Sequence, residues 1–329
     1  MIKKDKIETN TVLNVARFFA IVSVIIAHSR SLSFDYLSIF TERIGAVGVI
    51  TFLIISGYYY NVEKYGRLIF FKNKIKTIVI PWVFTGTVLY LIGLKFNFLD
   101  WFLWIIGYKT YLYYLSVLFC CYFIFSYFKS IPFLYFSVII TLVSLVLTSF
   151  GLIDSFWKLY FPNFIFYNYF NIFNWIGFFA IGVLLKDKME LLIEAISPKW
   201  LVLFCSYICF VVLSVYVEPK NGGYFSSLAF FTELFGFLAI LALSSRKIFH
   251  KALIYRVSEL SFAIYLTQFL VFPFRKFFFN HPIMEFINPF VLLSLITFFL
   301  IVGANVATYL KLNNVYELLL GIRSKKIKS

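Results

Sequence analysis

Long apolar runs separated by short polar segments are the dominant pattern along this chain. Each run approaches the roughly 20 mostly apolar residues that a helix needs to cross a bilayer. About ten such runs are present, near residues 12–32, 44–61, 77–95, 111–128, 131–150, 169–185, 200–217, 225–244, 258–274 and 290–310. The pattern predicts an all-α, polytopic integral membrane protein, with a shorter interfacial segment at 101–108.

The positions of lysine and arginine predict how this bundle is oriented. If the N-terminus is cytoplasmic, 21 of the 30 cationic residues fall in cytoplasmic segments, eight, including Arg43, in outer segments, and Arg17 within a span. Cytoplasmic loops of membrane proteins carry such an excess of lysine and arginine. We therefore predict about ten spans in one membrane domain over residues 1–329, with both termini cytoplasmic.

The composition supports a membrane protein and argues against a nucleic-acid partner. Hydrophobic residues make up 62% of the chain and charged residues 14%, whereas a soluble domain has about 45–50% and about 25%. The net charge of +15 comes from short basic clusters between apolar runs, so membrane topology explains it. The four cysteines lie inside apolar runs without zinc-site spacing, and neither a disulfide nor a metal is predicted.

Two ionisable residues in the first apolar run are costly in hydrocarbon. Arg17 and His28 are eleven residues apart, which on a helix is three turns plus roughly 20°, so they share a face about 16 Å apart along the axis. Asn14 lies on the same face. Ionisable residues inside a membrane usually face a cavity or pathway, which predicts a site here. The alternatives are snorkelling for Arg17 and an interfacial position for His28.

Five stretches, in order along the chain, resemble the acyltransferase-3 family of membrane-bound acyltransferases over about residues 10–310. They are Arg17 and His28 with ten residues between them, "FLIISGYY" at Phe52–Tyr59, "FFKNKIKTIVIPW" at Phe70–Trp82, "FFAIGVLL" at Phe178–Leu185 and "LSFAIYLTQFLV" at Leu260–Val271. Each motif is short, and the order together with the number of apolar runs makes the resemblance specific.

The sequence departs from the family pattern at three places. Asn14 stands where many members have aspartate, Lys74 and Lys76 where members often have arginine, and Gln268 where the family usually has histidine. A lysine binds phosphate as a point charge, whereas the arginine fork binds it through two hydrogen bonds. The glutamine removes a second imidazole, so that any general-base role falls more heavily on His28.

The resemblance implies transfer of an acyl group, usually acetyl, from cytoplasmic acyl-CoA to a hydroxyl of a cell-surface or exported polysaccharide. Imidazole can take the proton of a hydroxyl during such an attack, and His28 is the histidine within a predicted span. The expected partners are acyl-CoA, a glycan or lipid-linked glycan, and the lipid bilayer. No tightly bound cofactor is expected, and the expected location is the bacterial cytoplasmic membrane.

The donor carries several phosphates, which suit basic side chains on the cytoplasmic side. The predicted donor-binding residues are Asn14, Arg17, Ser56, Arg67, Lys72, Lys74 and Lys76. For the cluster at 67–76, predicted to be a loop, positive-inside topology or contact with anionic lipid is the alternative. Gly57, beside Ser56, more often permits close helix packing than chemistry.

The acceptor side and a second catalytic residue are predicted less directly. Glu233 is an acidic residue in mid-span, and it is expected either to orient His28 or an acceptor hydroxyl, or to be a structural residue that is protonated or hydrogen-bonded. Tyr111, Tyr113 and Tyr114 are expected to line the outer mouth and bind sugar, with an interfacial belt as the alternative. Gln268 completes the predicted substrate-binding set.

Two other functions also use polar residues within a membrane. A transporter or flippase for a lipid-linked glycan or small anion would often show two related halves with broken helices, and the sequence shows no such symmetry. A polysaccharide polymerase tends to carry a long outer loop, which is not evident either. The leading hypothesis is therefore an O-acyltransferase.

Overall fold

The computed structural model describes residues 8–29, 36–93, 96–161, 167–218, 223–271 and 282–322, and regular structure in these ranges is helical. The α-helices are α1 (Thr9–Ser29), α2 (Tyr36–Tyr58), α3 (Val62–Tyr65), α4 (Arg67–Lys74), α5 (Ile80–Gly93), α6 (Phe98–Ile106), α7 (Tyr113–Tyr127), α8 (Ile131–Ser149), α9 (Leu152–Tyr160), α10 (Ile176–Leu184), α11 (Met189–Ile196), α12 (Trp200–Val217), α13 (Ala229–Ser244), α14 (Ala252–Glu259), α15 (Ser261–Val271), α16 (Pro282–Tyr309) and α17 (Asn313–Leu320). The all-helical prediction is confirmed for the described residues.

Several of these helices are long and apolar enough to cross a membrane. The described residues contain six such stretches, at Thr9–His28, Ser38–Tyr58, Arg67–Gly93, Ile131–Ser149, Met189–Val217 and Ile287–Tyr309. The other predicted spans correspond to the shorter apolar helices α7, α10, α13 and α15. The protein is thus a multi-pass membrane protein, and about ten spans stays a prediction. The terminal residues predicted to be cytoplasmic, 1–7 and 323–329, lie outside the described ranges.

Two boundaries differ from the prediction, and both differences concern charged residues. Helix α2 begins eight residues before the predicted 44–61 segment, so Arg43 lies inside a helix rather than in an outer loop. The Arg43 guanidinium is 1% exposed and donates a hydrogen bond to the carbonyl of Glu218. This partner, distant in sequence, makes it possible to bury a cation that hydropathy alone assigns to a loop.

The second difference is in the basic segment before the third span. Helix α4, a π-helical turn at Ile75–Val79 and α5 form one helical stretch from Arg67 to Gly93. The segment predicted as a loop at 67–76 is therefore helical, and Lys76 lies in the π turn. A π turn inserts a residue into the helical repeat and leaves no distinctive sequence pattern.

The described chain packs as two compact units. Unit 1 contains residues 8–59, 130–161 and 173–258 with the gaps given above, and unit 2 contains 60–129, 167–172 and 259–322. Helix α2 is central to unit 1, because it packs against α1, α10, α12 and α13. Its contact with α1 is close at Gly45, where an added Cβ would lie 2.3 Å from the Cβ of Ala27.

A close helix crossing in unit 1 joins two of the motifs quoted above. A Cβ at Gly57 of α2 would lie 2.1 Å from the carbonyl oxygen of Phe179, and a Cβ at Gly182 of α10 would lie 2.0 Å from that of Ile54. The two backbones are therefore in contact with no room for a side chain at either glycine. The packing interpretation of Gly57 accounts for this geometry.

Unit 2 is built around α5 and α15. Helix α5 packs against α6, α15 and α17, and α15 packs against α16. The indole of Trp82 on α5 donates to the Ile105 carbonyl at 2.8 Å. The connection between α6 and α7 is tied to α15, since the Tyr111 hydroxyl donates to the Leu266 carbonyl at 2.9 Å and the Tyr265 hydroxyl donates to the Tyr111 carbonyl.

The Gly57–Gly182 crossing predicts that a single added methyl group lowers the stability of the protein. Gly57→Ala forces α2 and α10 apart, and overpacking of this kind costs about 1–3 kcal/mol. We expect a lower apparent Tm and less monodisperse protein on size exclusion in detergent. Gly93→Ala is the matched control, because an added Cβ there meets nothing within 4 Å. Equal stability of the two variants would contradict the crossing.

Candidate active site

Helix α1 presents the predicted polar face. It is unbroken from Thr9 to Ser29, so the eleven-residue spacing of Arg17 and His28 is helical throughout and corresponds to about 16 Å of axis. Arg17 lies in the third turn, half-buried, and His28 lies in the last turn, also half-buried. The rest of the helix is largely apolar, with Val12, Leu13 and Ile21 at most 9% exposed.

The Arg17 guanidinium is held by residues of α1 and of the turn that follows α2. It donates a long hydrogen bond of 3.5 Å to Oδ1 of Asn14, and its Cζ lies 5.0 Å from the ring centroid of Tyr59. The Tyr59 hydroxyl in turn donates to Oδ1 of Asn10 at 2.9 Å. Asn10, Asn14 and Arg17 thus form a polar strip on α1, covered at one point by an aromatic ring.

The ionisation of Tyr59 follows from these surroundings. Burial raises the pKa of the Tyr59 phenol, and the positive charge of Arg17 opposes that rise. The phenol is therefore neutral near pH 7 and remains a hydrogen-bond donor to Asn10. On the other side of the strip, the Ser258 hydroxyl donates to the backbone carbonyl of Asn14 at 2.6 Å, which ties α14 to α1.

Ser56 lies one turn before Tyr59 and is half-buried at the C-terminal end of α2. The neighbouring Gly57 belongs to the crossing with α10, so that backbone packing fixes the place of both Ser56 and Tyr59 within unit 1. A hydrogen bond from Ser56 to the donor stays a prediction.

Two of the four basic residues at 67–76 contact α7. Arg67 Nε donates to the Ser126 carbonyl at 2.9 Å, with its guanidinium 4.4 Å from the Tyr127 ring centroid. Lys74 Nζ lies 3.2 Å from the Tyr122 hydroxyl and 4.3 Å from that ring centroid. Arg67, Lys72 and Lys76 are exposed, and Lys74 is half-buried. Phosphate binding by these residues stays a prediction.

Glu233 lies in α13 and is 2% exposed. Its neighbourhood includes Tyr207 of α12, whose hydroxyl donates to the Ile44 carbonyl at 3.0 Å. No described residue donates a hydrogen bond to its Oε2, so the hydrogen-bonded structural role is not satisfied at this atom. Its action on His28 or on an acceptor stays a prediction. Among the described residues, no group of three or more His, Cys, Asp and Glu side chains is placed to hold a metal ion.

The three tyrosines predicted to line an outer mouth are buried in unit 2. Tyr111 stacks on Phe269 with ring centroids 4.1 Å apart, and Tyr114 meets Tyr265 edge-on at 5.5 Å. Tyr113 packs against a third ring, that of Tyr169. Burial favours packing for these rings, and their contact with sugar stays a prediction.

Gln268 of α15 is fully buried in unit 2. Neither Oε1 nor Nε2 of its amide has a hydrogen-bond partner among the described residues. An amide in that state is costly unless a ligand, water or further protein group satisfies it. Substrate binding by Gln268 stays a prediction, and this geometry is compatible with it.

Residues 10–310 match the family model of the acyltransferase-3 domain, which is described as an acyltransferase domain. The chain belongs to the acyltransferase-3 family. It is therefore a membrane acyltransferase, as the resemblance of its five motifs predicts. No curated protein and no solved structure shows significant similarity to it.

Three residues near Arg17 in this acyltransferase had no assigned role in the sequence analysis: Asn10, Tyr59 and Ser258. Tyr59 is the last residue of the quoted "FLIISGYY" stretch, so the motif itself was the available signal. Asn10 precedes Arg17 by seven residues, which is two turns of one helix face. Ser258 carried no signal, because its partner is a backbone carbonyl 244 residues away.

The contacts of Arg67 predict a structural effect that Lys72 does not share. Arg67→Ala removes the hydrogen bond to the Ser126 carbonyl and the cation–π contact with Tyr127. We expect the free energy of unfolding to fall by about 1 kcal/mol. Thermal unfolding in detergent, followed by tryptophan fluorescence, should show a lower apparent Tm for Arg67→Ala and no change for Lys72→Ala. A lower apparent Tm for Lys72→Ala than for Arg67→Ala would contradict the contacts described for Arg67.

Proposed function

We propose that this acyltransferase moves an acetyl or other acyl group from cytoplasmic acyl-CoA to a hydroxyl of a cell-surface or exported glycan, in the bacterial cytoplasmic membrane. The observation that carries the proposal is the shared face of Arg17 and His28 on an unbroken α1. A cation in the third turn of α1 and an imidazole in its last turn suit a donor that enters from the cytoplasmic side and chemistry farther out.

His28 acts as the general base in this proposal. The acceptor hydroxyl oxygen attacks the carbonyl carbon of the thioester, and its proton passes to the His28 imidazole. The carbon–sulfur bond then breaks, and the CoA thiolate leaves and takes up the proton. An imidazole with a pKa near 6.5 is suited to both proton transfers at neutral pH.

Arg17 acts as the donor anchor. Its planar guanidinium offers paired N–H groups that match two phosphate oxygens, and the flanking Asn14 amide adds polar character to the same face. Ser56, Arg67, Lys72, Lys74 and Lys76 complete the proposed donor-binding set. The donor spans part of the length of α1, which suits an extended pantetheine arm.

Glu233, Gln268, Tyr111, Tyr113 and Tyr114 are proposed to serve the acceptor side or the orientation of His28. Of these, Gln268 has the strongest physical support, because its buried amide has two unsatisfied atoms. A sugar hydroxyl both donates and accepts hydrogen bonds and could pair with either atom.

The test is transfer itself. Membranes or nanodiscs containing the protein are given radiolabelled acetyl-CoA and a candidate glycan, and both thioester loss and label on the glycan are measured. Glycan transport without thioester loss would favour the transporter or flippase alternative. Label on the glycan, with equal release of CoA, is the expected result.

His28→Ala should abolish this transfer while the protein remains membrane-inserted. Loss of a general base typically lowers the rate by about 10²–10⁴. Label on the glycan is measured at saturating acetyl-CoA, with protein amount and elution profile matched to wild type. A wild-type rate for His28→Ala would exclude His28 as the base.

A further inference from the structure

Tyr59 has an unusual combination of contacts for a residue at the end of a spanning helix. Its ring lies 5.0 Å below the Arg17 guanidinium carbon and its hydroxyl is bonded to Asn10. It is still 40% exposed, so it covers only part of the arginine. A ring that merely filled space between α1 and α2 would not need its hydroxyl tied to the polar strip of α1.

We propose that Tyr59 is a positioning residue for donor binding and acts through Arg17. This inference rests on the proposed function, because it takes Arg17 as the donor anchor. The ring face attracts the guanidinium by a cation–π interaction, and the Asn10 bond fixes the orientation of that ring. Together they hold the arginine in one arrangement before the donor arrives.

The geometry explains why an aromatic ring suits this task. A guanidinium binds phosphate through N–H groups that lie in its plane, whereas a ring interacts with its face. The cation–π contact therefore restricts the side chain without using the N–H donors that phosphate needs. An arginine side chain loses rotamer entropy when it is held in one arrangement, and restricting it before binding improves donor affinity.

The backbone places Tyr59 firmly enough for this role. Gly57, two residues earlier, is locked against α10 at the backbone-to-backbone crossing with Gly182. The Tyr58 and Tyr59 rings also meet edge-to-face with centroids 4.9 Å apart. The position of the ring is thus set by the packing of α2 against α10 rather than by the arginine that it holds.

The inference separates the ring of Tyr59 from its hydroxyl. Tyr59→Leu removes the cation–π contact and the Asn10 bond, so donor affinity should fall about threefold to tenfold. Tyr59→Phe keeps the ring and loses only the bond, so most of the affinity should return. Maximal velocity at saturating donor should change much less than the KM for acetyl-CoA.

The experiment is a double-mutant cycle on the full chain in nanodiscs. Binding of CoA is measured by calorimetry for wild type, Tyr59→Leu, Arg17→Gln and the double variant, with Tyr59→Phe as the conservative variant. Tyr65→Leu is the matched control, because Tyr65 is also an exposed tyrosine with a cation over its ring, Lys64 at 5.5 Å. Size-exclusion profiles and apparent Tm are recorded for each protein.

Each outcome decides the inference. The expected result is weaker binding by Tyr59→Leu, recovery in Tyr59→Phe, no change in Tyr65→Leu, and no further loss when Tyr59→Leu is added to Arg17→Gln. Wild-type affinity in a folded Tyr59→Leu protein overturns the inference alone, as does an undiminished loss in the Arg17→Gln background. No CoA binding by wild type overturns both the inference and the proposed function.

Discussion

The cost of placing a cation on an otherwise apolar spanning helix is the constraint on which this site depends. A charged side chain in hydrocarbon costs several kcal/mol unless it reaches water or polar partners. The groups that contact Arg17 include the Asn14 amide and the ring of Tyr59, whose hydroxyl donates a hydrogen bond to Asn10. These contacts offset part of the cost of burying the arginine in α1, and they fix the position of its charge.

The position of Tyr59 beside Arg17 depends on the packing of two helix backbones. Tyr59 follows directly from α2, and α2 is set in place by contacts that permit no Cβ at Gly57 or Gly182. The stretches that contain these two glycines are both among the five that mark the family. Two short motifs that are far apart in sequence therefore meet at one helix crossing. That crossing positions the Tyr59 ring, which contacts Arg17.

The helices and their order were predictable, because hydrophobic runs long enough to span a bilayer are a direct sequence signal. The polar face of α1 was predictable for the same kind of reason, since an eleven-residue spacing on a helix needs no tertiary information. Arg43 was placed in an outer segment, before the predicted 44–61 span, whereas it lies inside α2, because its partner is the carbonyl of Glu218 at the end of α12.

Other features depend on contacts that have no local sequence signal. The segment at 67–76, predicted as a loop, is helical in α4 and continues through the π turn at Ile75–Val79 into α5. Before α10, two short 3-10 turns replace the start of the predicted 169–185 span. There the amide oxygen of Asn174 accepts a hydrogen bond from Ser144 at 2.6 Å. A single asparagine in an apolar run does not reveal that partner.

The central claim is that donor and acceptor act on opposite sides of the membrane, with Arg17 in the third turn and His28 in the last turn of one face of α1. Sealed vesicles of defined orientation test it most directly. Acetyl-CoA outside inside-out vesicles should yield acetylated glycan in the lumen, whereas acetyl-CoA outside right-side-out vesicles should yield none. Equal labelling in both orientations, with sealing verified, would contradict the account.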